Sequence, residues 1–213
     1  MMDKSTAATN CPAFRMPRLA LSIRQWRNLF REEEYKLVIA KMLNHYLNEV
    51  NSNKNRPYSV YFNGYLITKT SIYLVLDIDH KIIVSNQDQA DGHKKIIQNL
   101  ISSLNKNVKA MIEAIHGADI LNRGLIKNGD NNTLQVIALQ LFEEFPFSNY
   151  PLLKLITGYK EEPGYYDPRL VRLKDRINNE RFCSAMFYAA GVCTGPVRVG
   201  REHGEKCFDE NKK

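Results

Sequence analysis

The segment from residue 58 to residue 79 constrains the fold most strongly. Residues 58–67 and 71–79 are two runs rich in β-branched and aromatic side chains, separated only by Thr68, Lys69 and Thr70. This composition is typical of strands, and so short a polar break is typical of a tight turn. The segment therefore predicts two consecutive strands joined by a turn.

The flanking segments carry helical and strand periodicities. Apolar residues alternate with other residues over 19–23, which predicts a short half-buried strand, and they recur at helical spacing over 32–50 and 93–115. Gly117 is positioned to end the second helix. The remaining predictions are a connector at 25–31, an extension of the sheet at 81–85, a polar loop at 87–92, a third helix at 133–145, an irregular segment at 146–164 and a helix at 168–191.

The order of these elements predicts the fold class. A strand-helix-strand-strand-helix run is typical of a ferredoxin-like antiparallel sheet with helices on one face. We therefore expect an α+β fold of this type, with a helical C-terminal extension. Residues 17–199 are predicted to form a single domain, and residues 1–16 and 200–213 to form flexible tails.

Composition narrows the class of protein further. The chain has 213 residues of which 44% are hydrophobic, so it can bury one ordinary core. It has no run of eighteen apolar residues, so we expect no membrane partner. Residues 1–10 contain no apolar stretch, so we do not expect the chain to be secreted. Its four cysteines lack CxxC spacing, and we expect reduced thiols in a cytoplasmic protein.

The sequence lacks the common catalytic and nucleotide-binding motifs. It contains no glycine-rich phosphate loop, no His-Glu-x-x-His and no Gly-x-Ser-x-Gly. Asp77, Asp79 and His80 at the end of one strand could hold a divalent ion such as Mg²⁺ or Mn²⁺. The alternative is a solvated strand end that begins a turn. Cys193, His203 and Cys207 are a second set, for zinc, but their spacing is wrong and a fourth ligand is lacking.

Basic residues suggest an anionic partner. The formal net charge is +7. Arg169, Arg172 and Arg176 lie at i, i+3 and i+7, so a helix would place them on one face, where they could contact phosphates. The alternative is a solvated face paired with neighbouring carboxylates. Charge alone does not distinguish a nucleic-acid-binding protein from other basic proteins.

Several short sequences accompany this order of elements. They are a strand at 19–24 that ends at an arginine, Leu29-Phe30 followed by three glutamates at 32–34, the strand pair at 60–76, the amphipathic helix at 93–115, Tyr165-Tyr166-Asp167, and Gly195-Pro196-Val197. Together they resemble the single-tyrosine HUH transposases, in particular the REP-associated tyrosine transposase branch. The resemblance covers roughly residues 17–200 and consists mainly of pattern and order.

The resemblance implies a metal-dependent strand transfer whose key residues are altered here. Family members hold the metal with two histidines on one strand, and Ser71 and Tyr73 occupy those positions in this chain. The tyrosine nearest to the family's nucleophile is Tyr188, although its offset from Pro196 departs from the family spacing. The resemblance therefore implies a catalytically degenerate relative with no bound metal, unless Asp77, Asp79 and His80 form a substitute site.

Two functional hypotheses follow. In the first, the chain binds single-stranded or hairpin DNA. The residues expected to contact DNA are Arg24, Lys69, Arg169, Arg172 and Arg176, with Tyr61, Tyr65 or Tyr73 available to stack on bases. In the second, the chain is a ferredoxin-like protein-interaction module with no nucleic-acid role, whose strand pair forms a partner surface or a homodimer contact.

Overall fold

A computed structural model describes residues 16–23, 25–80, 86–117, 141–158, 172–173, 177, 180–190 and 195–200. The elements discussed below are β1 (Arg18–Ile23), a 3-10 helix (Gln25–Leu29), α1 (Glu32–Ser52), β2 (Tyr58–Ile67), β3 (Ser71–His80), α2 (Asn86–His116), β4 (Phe142–Phe145), α3 (Tyr150–Ile156) and α4 (Ala185–Ala190).

The four strands form one antiparallel sheet in the order β2-β3-β1-β4. The chain runs through β1, α1, β2, β3, α2 and β4 in turn. The predicted α+β class and ferredoxin-like antiparallel sheet are therefore confirmed. β1 and β3 are the two central strands, and the sheet is widest across them.

Helices α1 and α2 pack together on one face of the sheet, which we term the helix-covered face. Their buried side chains recur at the helical spacing seen in the sequence, as with Ile39 and Leu43 in α1 and Leu100 and Leu104 in α2. These side chains join the main core with alternate residues of the strands. Three glutamates occupy the first turn of α1, where the helix dipole favours negative charge.

The opposite face, termed the second face, carries a layer that the sequence did not predict. Leu152, Leu153 and Ile156 of α3 pack with Leu66 and Val75 of the sheet in a second apolar cluster. Within the described part of the predicted helix at 168–191, residues 172, 173, 177 and 185–190 are helical and residues 180–184 are not. The second face is consequently covered over β2 and β3, although not over the whole sheet.

Three predicted boundaries are wrong. The predicted loop at 87–92 belongs to α2, which begins at Asn86. The helix starts seven residues before the apolar stripe that predicted it, because a solvent-exposed helical turn needs no apolar face. Residues 142–145 form β4, although a helix was predicted over 133–145. Pairing with β1 overrides the local pattern there. The segment predicted as irregular contains α3, which begins after Asn149, whose side chain accepts from Leu152 N at 3.1 Å.

Other boundaries agree with the sequence. The turn between β2 and β3 lies where it was predicted, and Gly117 ends α2 with φ at 84°. The proposed strand at 81–85 and the two terminal tails fall outside the described residues, apart from Met16 and Gly200.

The outer edge of β2 is paired with residues from the C-terminal part of the chain. Ile67 N donates to Phe182 O at 2.9 Å, and Gly200 N donates to Phe62 O at 2.8 Å. Cys183 forms an antiparallel bridge with Leu66. An unpaired strand edge exposes backbone donors and acceptors, so this contact both satisfies β2 and fixes the C-terminal residues.

A bulge in β2 lets α3 approach the sheet closely. The pairing register shifts between Phe62 and Gly64. A Cβ at Gly64 would lie 2.6 Å from Ile156 O, which is backbone and cannot swing away. Glycine at this position is therefore required by the close approach of the α3 carboxyl end.

Gly64→Ala is expected to destabilise the fold. Overpacking against backbone costs about 1–3 kcal/mol in the free energy of unfolding, measured by urea denaturation. Gly92→Ala is the matched control, because a Cβ there meets nothing within 4 Å. Alanine in this helix should raise stability by about 0.5–1 kcal/mol. Equal effects of the two substitutions would contradict the packing described here.

Candidate nucleic-acid interface

Aromatic side chains cluster on the second face beside the apolar cluster that contains α3, and Tyr73 and Phe147 pack against that cluster. Tyr73 on β3 and Phe145 on β4 are both paired with Ala20, which lies between them on β1. Because Ala20 is small, the two rings meet above it, with centroids 5.8 Å apart in an edge-to-face arrangement. Phe147 lies 5.1 Å from Tyr73. We term Tyr73, Phe145 and Phe147 the aromatic patch, and all three are partly exposed.

Two basic side chains belong to the segments that form this part of the sheet: Arg18 lies two residues before Ala20 on β1, and Lys69 lies in the turn before β3. The Arg18 guanidinium lies 5.8 Å from the ring centroid of Tyr150, a side chain that is 49% exposed. Lys69 is exposed in the turn between β2 and β3. Partly exposed rings flanked by cations are the arrangement on which bases stack while their phosphates contact positive charge.

The turn that carries Lys69 is held in place by its neighbours. Thr68 Oγ1 accepts from Ser71 N at 2.9 Å, which closes the turn. Ile23 N donates to Thr70 O at 2.8 Å, and the Arg27 guanidinium donates to Lys69 O at 3.0 Å. The backbone of Lys69 is therefore fixed, while its exposed side chain remains directed to solvent.

The residues at the family's metal-binding positions do not fit a divalent ion. Ser71 Oγ is 3.5 Å from Thr70 Oγ1, and the Tyr73 ring packs in the aromatic patch. Both side chains end in hydroxyls, which are poor ligands for a divalent ion. No step of a reaction can be assigned to a metal at these two positions.

The structure does not bring Asp77, Asp79 and His80 together. Side chains alternate along β3, so His80 lies on the helix-covered face with α2, and the two aspartates lie on the second face. Across the described ranges, no three His, Cys, Asp or Glu side chains are close enough to hold a metal ion.

Tyr188 occupies a position that supports the bulge in β2. Its hydroxyl donates to Asn63 O and lies 3.1 Å from Asn63 Oδ1. Burial, with a smaller contribution from the negative charge of Asp77, raises the pKa of Tyr188 to about 12. Since a nucleophilic tyrosine needs a hydroxyl that is readily deprotonated, this environment favours a structural hydrogen bond over attack on phosphate.

The other predicted contact residues divide into four groups. Lys69 and Arg172 are exposed. Tyr65 is buried in the main core and cannot stack on a base, so that prediction is wrong. Tyr61 is half-buried opposite Asp77. Arg24, Arg169 and Arg176 lie outside the described residues.

Sequence reasoning missed three members of the site. Phe145 and Phe147 were assigned to a helix end and an irregular segment, and Arg18 was not singled out. The signal that could have found them is the alternation of Phe142, Glu143, Glu144 and Phe145, which places one phenylalanine in the core and the other on the second face.

Comparison of the chain with protein-family models, with curated proteins and with solved structures found no match in any of the three. The resemblance to single-tyrosine transposases therefore stays a prediction from the sequence. Within the described part of the chain, no helix combines the length and the apolar character needed to cross a membrane.

Tyr188→Phe is expected to lower the free energy of unfolding at pH 8 by about 1 kcal/mol, because the hydrogen bond to Asn63 O is lost. The folded-state pKa is raised above the ordinary value of 10.0. The contribution of the neutral hydroxyl is therefore complete below pH 10 and lost as pH rises towards 12.

The free energy of unfolding of Tyr188→Phe, which lies below that of the native chain at pH 8, should consequently approach the native value between pH 8 and pH 11. Urea denaturation measures this difference. Tyr73→Phe is the control, since it keeps the ring contacts with Phe145 and Phe147. A Tyr188→Phe deficit that grows with pH would show that the hydroxyl is not held neutral by the fold.

Proposed function

We propose that this protein binds single-stranded or hairpin DNA through the aromatic patch of the second face and does not cleave it. The observation that carries the proposal is the partly exposed set of rings Tyr73, Phe145 and Phe147. Sheet surfaces with exposed aromatic residues are a recurrent platform for unpaired bases, because every base has a face that can stack.

The geometry of the patch favours an unpaired strand over a duplex. Tyr73 and Phe145 project from strands on either side of β1, so their rings stand on the sheet surface within 5.8 Å of each other. Bases in a duplex are already stacked and present only their edges, whereas unpaired bases can lie against such rings. The loop of a hairpin offers the same unpaired bases as a free strand.

The charge of the chain supports the same proposal. Its formal net charge is +7, and two of its basic residues, Arg18 on β1 and Lys69 in the turn before β3, belong to the segments that form this part of the sheet. Each phosphate neutralised by such a side chain releases a counterion, which makes affinity depend on salt.

A binding role fits the altered motif positions better than a catalytic one. Efficient strand transfer in the family requires a metal to polarise the phosphate and a tyrosine to attack it. Ser71 and Tyr73 are poor ligands, and the Tyr188 hydroxyl is engaged by Asn63. The partly exposed rings on which the binding proposal rests do not require a metal or a free tyrosine hydroxyl.

The direct test is fluorescence anisotropy with a labelled dT oligonucleotide, a labelled hairpin and a blunt duplex of equal length. We expect the first two to bind more tightly than the duplex. Their affinity should fall steeply between about 50 and 200 mM salt. No binding at low salt would overturn the proposal. Self-association that persists at high salt without DNA binding would indicate the protein-interaction module instead.

Two substitutions separate stacking from charge. Tyr73→Leu should weaken dT binding by about 1–3 kcal/mol, roughly 5- to 150-fold in Kd, whereas Tyr73→Phe should retain it. Lys69→Ala should reduce the slope of log affinity against log salt by about 1. Lys41→Ala, an exposed lysine of α1, is the matched control and should leave the slope unchanged. Native-like binding by both Tyr73→Leu and Lys69→Ala would place the site elsewhere.

A denaturing gel after incubation with the hairpin and Mn²⁺ tests the absence of cleavage. We expect no covalent protein-DNA adduct. An adduct that disappears in Tyr188→Phe would show that the tyrosine is a nucleophile and would overturn the non-catalytic part of the proposal.

A further inference from the structure

Two histidines from different elements meet on the helix-covered side of the sheet. His80 is the last residue of β3, and His93 lies in the second turn of α2. Their Nε2 atoms are 3.2 Å apart, and the rings are close to parallel, with 28° between their planes and 5.4 Å between their centroids. Neither residue was paired with the other in the sequence, where they are thirteen positions apart.

The separation of the two nitrogens allows them to share a metal ion once the rings turn so that both nitrogens face the ion. Two Nε2 atoms 3.2 Å apart that each lie ~2.1 Å from one ion subtend an angle of about 100°, between the octahedral and tetrahedral values. The same separation fits a hydrogen bond from one neutral imidazole to the other. A metal can replace that hydrogen bond once the ring that donates it has moved its proton from Nε2 to Nδ1, because both Nε2 atoms then have a free lone pair.

The ligand type selects the class of metal. Imidazole nitrogen suits Zn²⁺, Cu²⁺ and Ni²⁺, whereas Mg²⁺ and Ca²⁺ prefer oxygen ligands. Among the described residues no third His, Cys, Asp or Glu completes the set. Water would then fill the other positions of the ion, which leaves the site open.

The pair is accessible from solvent. Both imidazoles are partly exposed. His93 also lines a surface cavity of about 530 Å³ together with Arg18, Lys94 and Glu144. An ion could therefore reach the pair without unfolding of β3 or α2.

We propose that His80 and His93 form a binding site for one late first-row transition-metal ion, of the Zn²⁺, Ni²⁺ or Cu²⁺ class, that links the end of β3 to α2. This site is separate from the aromatic patch, because β3 places His80 and Tyr73 on opposite faces of the sheet. It does not depend on DNA binding.

The test uses the full chain without a histidine tag. Isothermal titration calorimetry with Ni²⁺ and with Zn²⁺ should give one ion per chain. Ni²⁺ at about a hundred times its Kd should raise Tm by roughly 5–10 °C. Mg²⁺ at the same concentration should leave Tm unchanged. Absence of stoichiometric binding would overturn the proposal.

Glutamine substitutions separate a metal site from a simple hydrogen bond. His80→Gln and His93→Gln keep a polar group that can hydrogen-bond the remaining imidazole, and each should weaken Ni²⁺ binding at least tenfold. His45→Gln is the matched control, because His45 is an exposed histidine of α1 and should leave Ni²⁺ affinity unchanged. Undiminished Ni²⁺ binding in both His80→Gln and His93→Gln would overturn the proposal.

Electron paramagnetic resonance of the Cu²⁺-loaded chain provides a second readout that does not depend on stability. Hyperfine splitting from two imidazole nitrogens is expected in the native chain, and from one in either glutamine variant. A spectrum that is identical in the native chain and in His93→Gln would show that the copper is bound elsewhere.

Discussion

The arrangement of the C-terminal third depends on one buried hydroxyl group, that of Ser184. Its Oγ accepts from Tyr65 N at 2.8 Å and donates to Ile156 O, and the Ser184 backbone N donates to Tyr65 O at 3.0 Å. The side chain is 1% exposed. It therefore satisfies polar backbone groups of β2 and of the α3 end where water cannot, which couples three segments that are far apart in sequence. The absence of a side chain at Gly64 permits this meeting, because it lets the Ile156 carbonyl reach the sheet.

This coupling determines which part of the sheet remains available to a partner. Residues 182–184 close the β2 edge, and α3 covers the second face over β2 and β3. A partly buried ion pair reinforces the closure, since Lys36 Nζ of α1 lies 3.3 Å from the Glu180 carboxylate and 5.4 Å from the Phe182 ring centroid. The aromatic patch, which spans β3 to β4 across β1, lies beside this layer and stays partly exposed. The site is thus defined as much by what the C-terminal residues cover as by the rings themselves.

The sequence predicted the elements whose residue patterns are local. It failed to predict the elements whose conformation depends on contacts with residues distant in the chain. The two strands around Lys69, helix α1 and the ferredoxin-like order follow from periodicity, so they could be predicted.

Residues 142–145 become a strand only because β1 offers its edge, and α3 forms in a proline-containing segment with an Asn149 cap that was overlooked. The aromatic patch depends on both of these elements. Its members could not be assembled from the sequence because Tyr73 and Phe145 are more than seventy positions apart and meet only across Ala20.

The central claim is that unpaired bases stack on the aromatic patch. Photo-crosslinking with a 5-bromodeoxyuridine-substituted oligonucleotide, mapped by mass spectrometry, tests it most directly because bases that contact aromatic rings crosslink to them. The account predicts crosslinks to Tyr73 and to the segment 145–147, and their loss when unlabelled dT competes. Crosslinks confined to α1 or α2, or their complete absence under conditions of saturating binding, would contradict it.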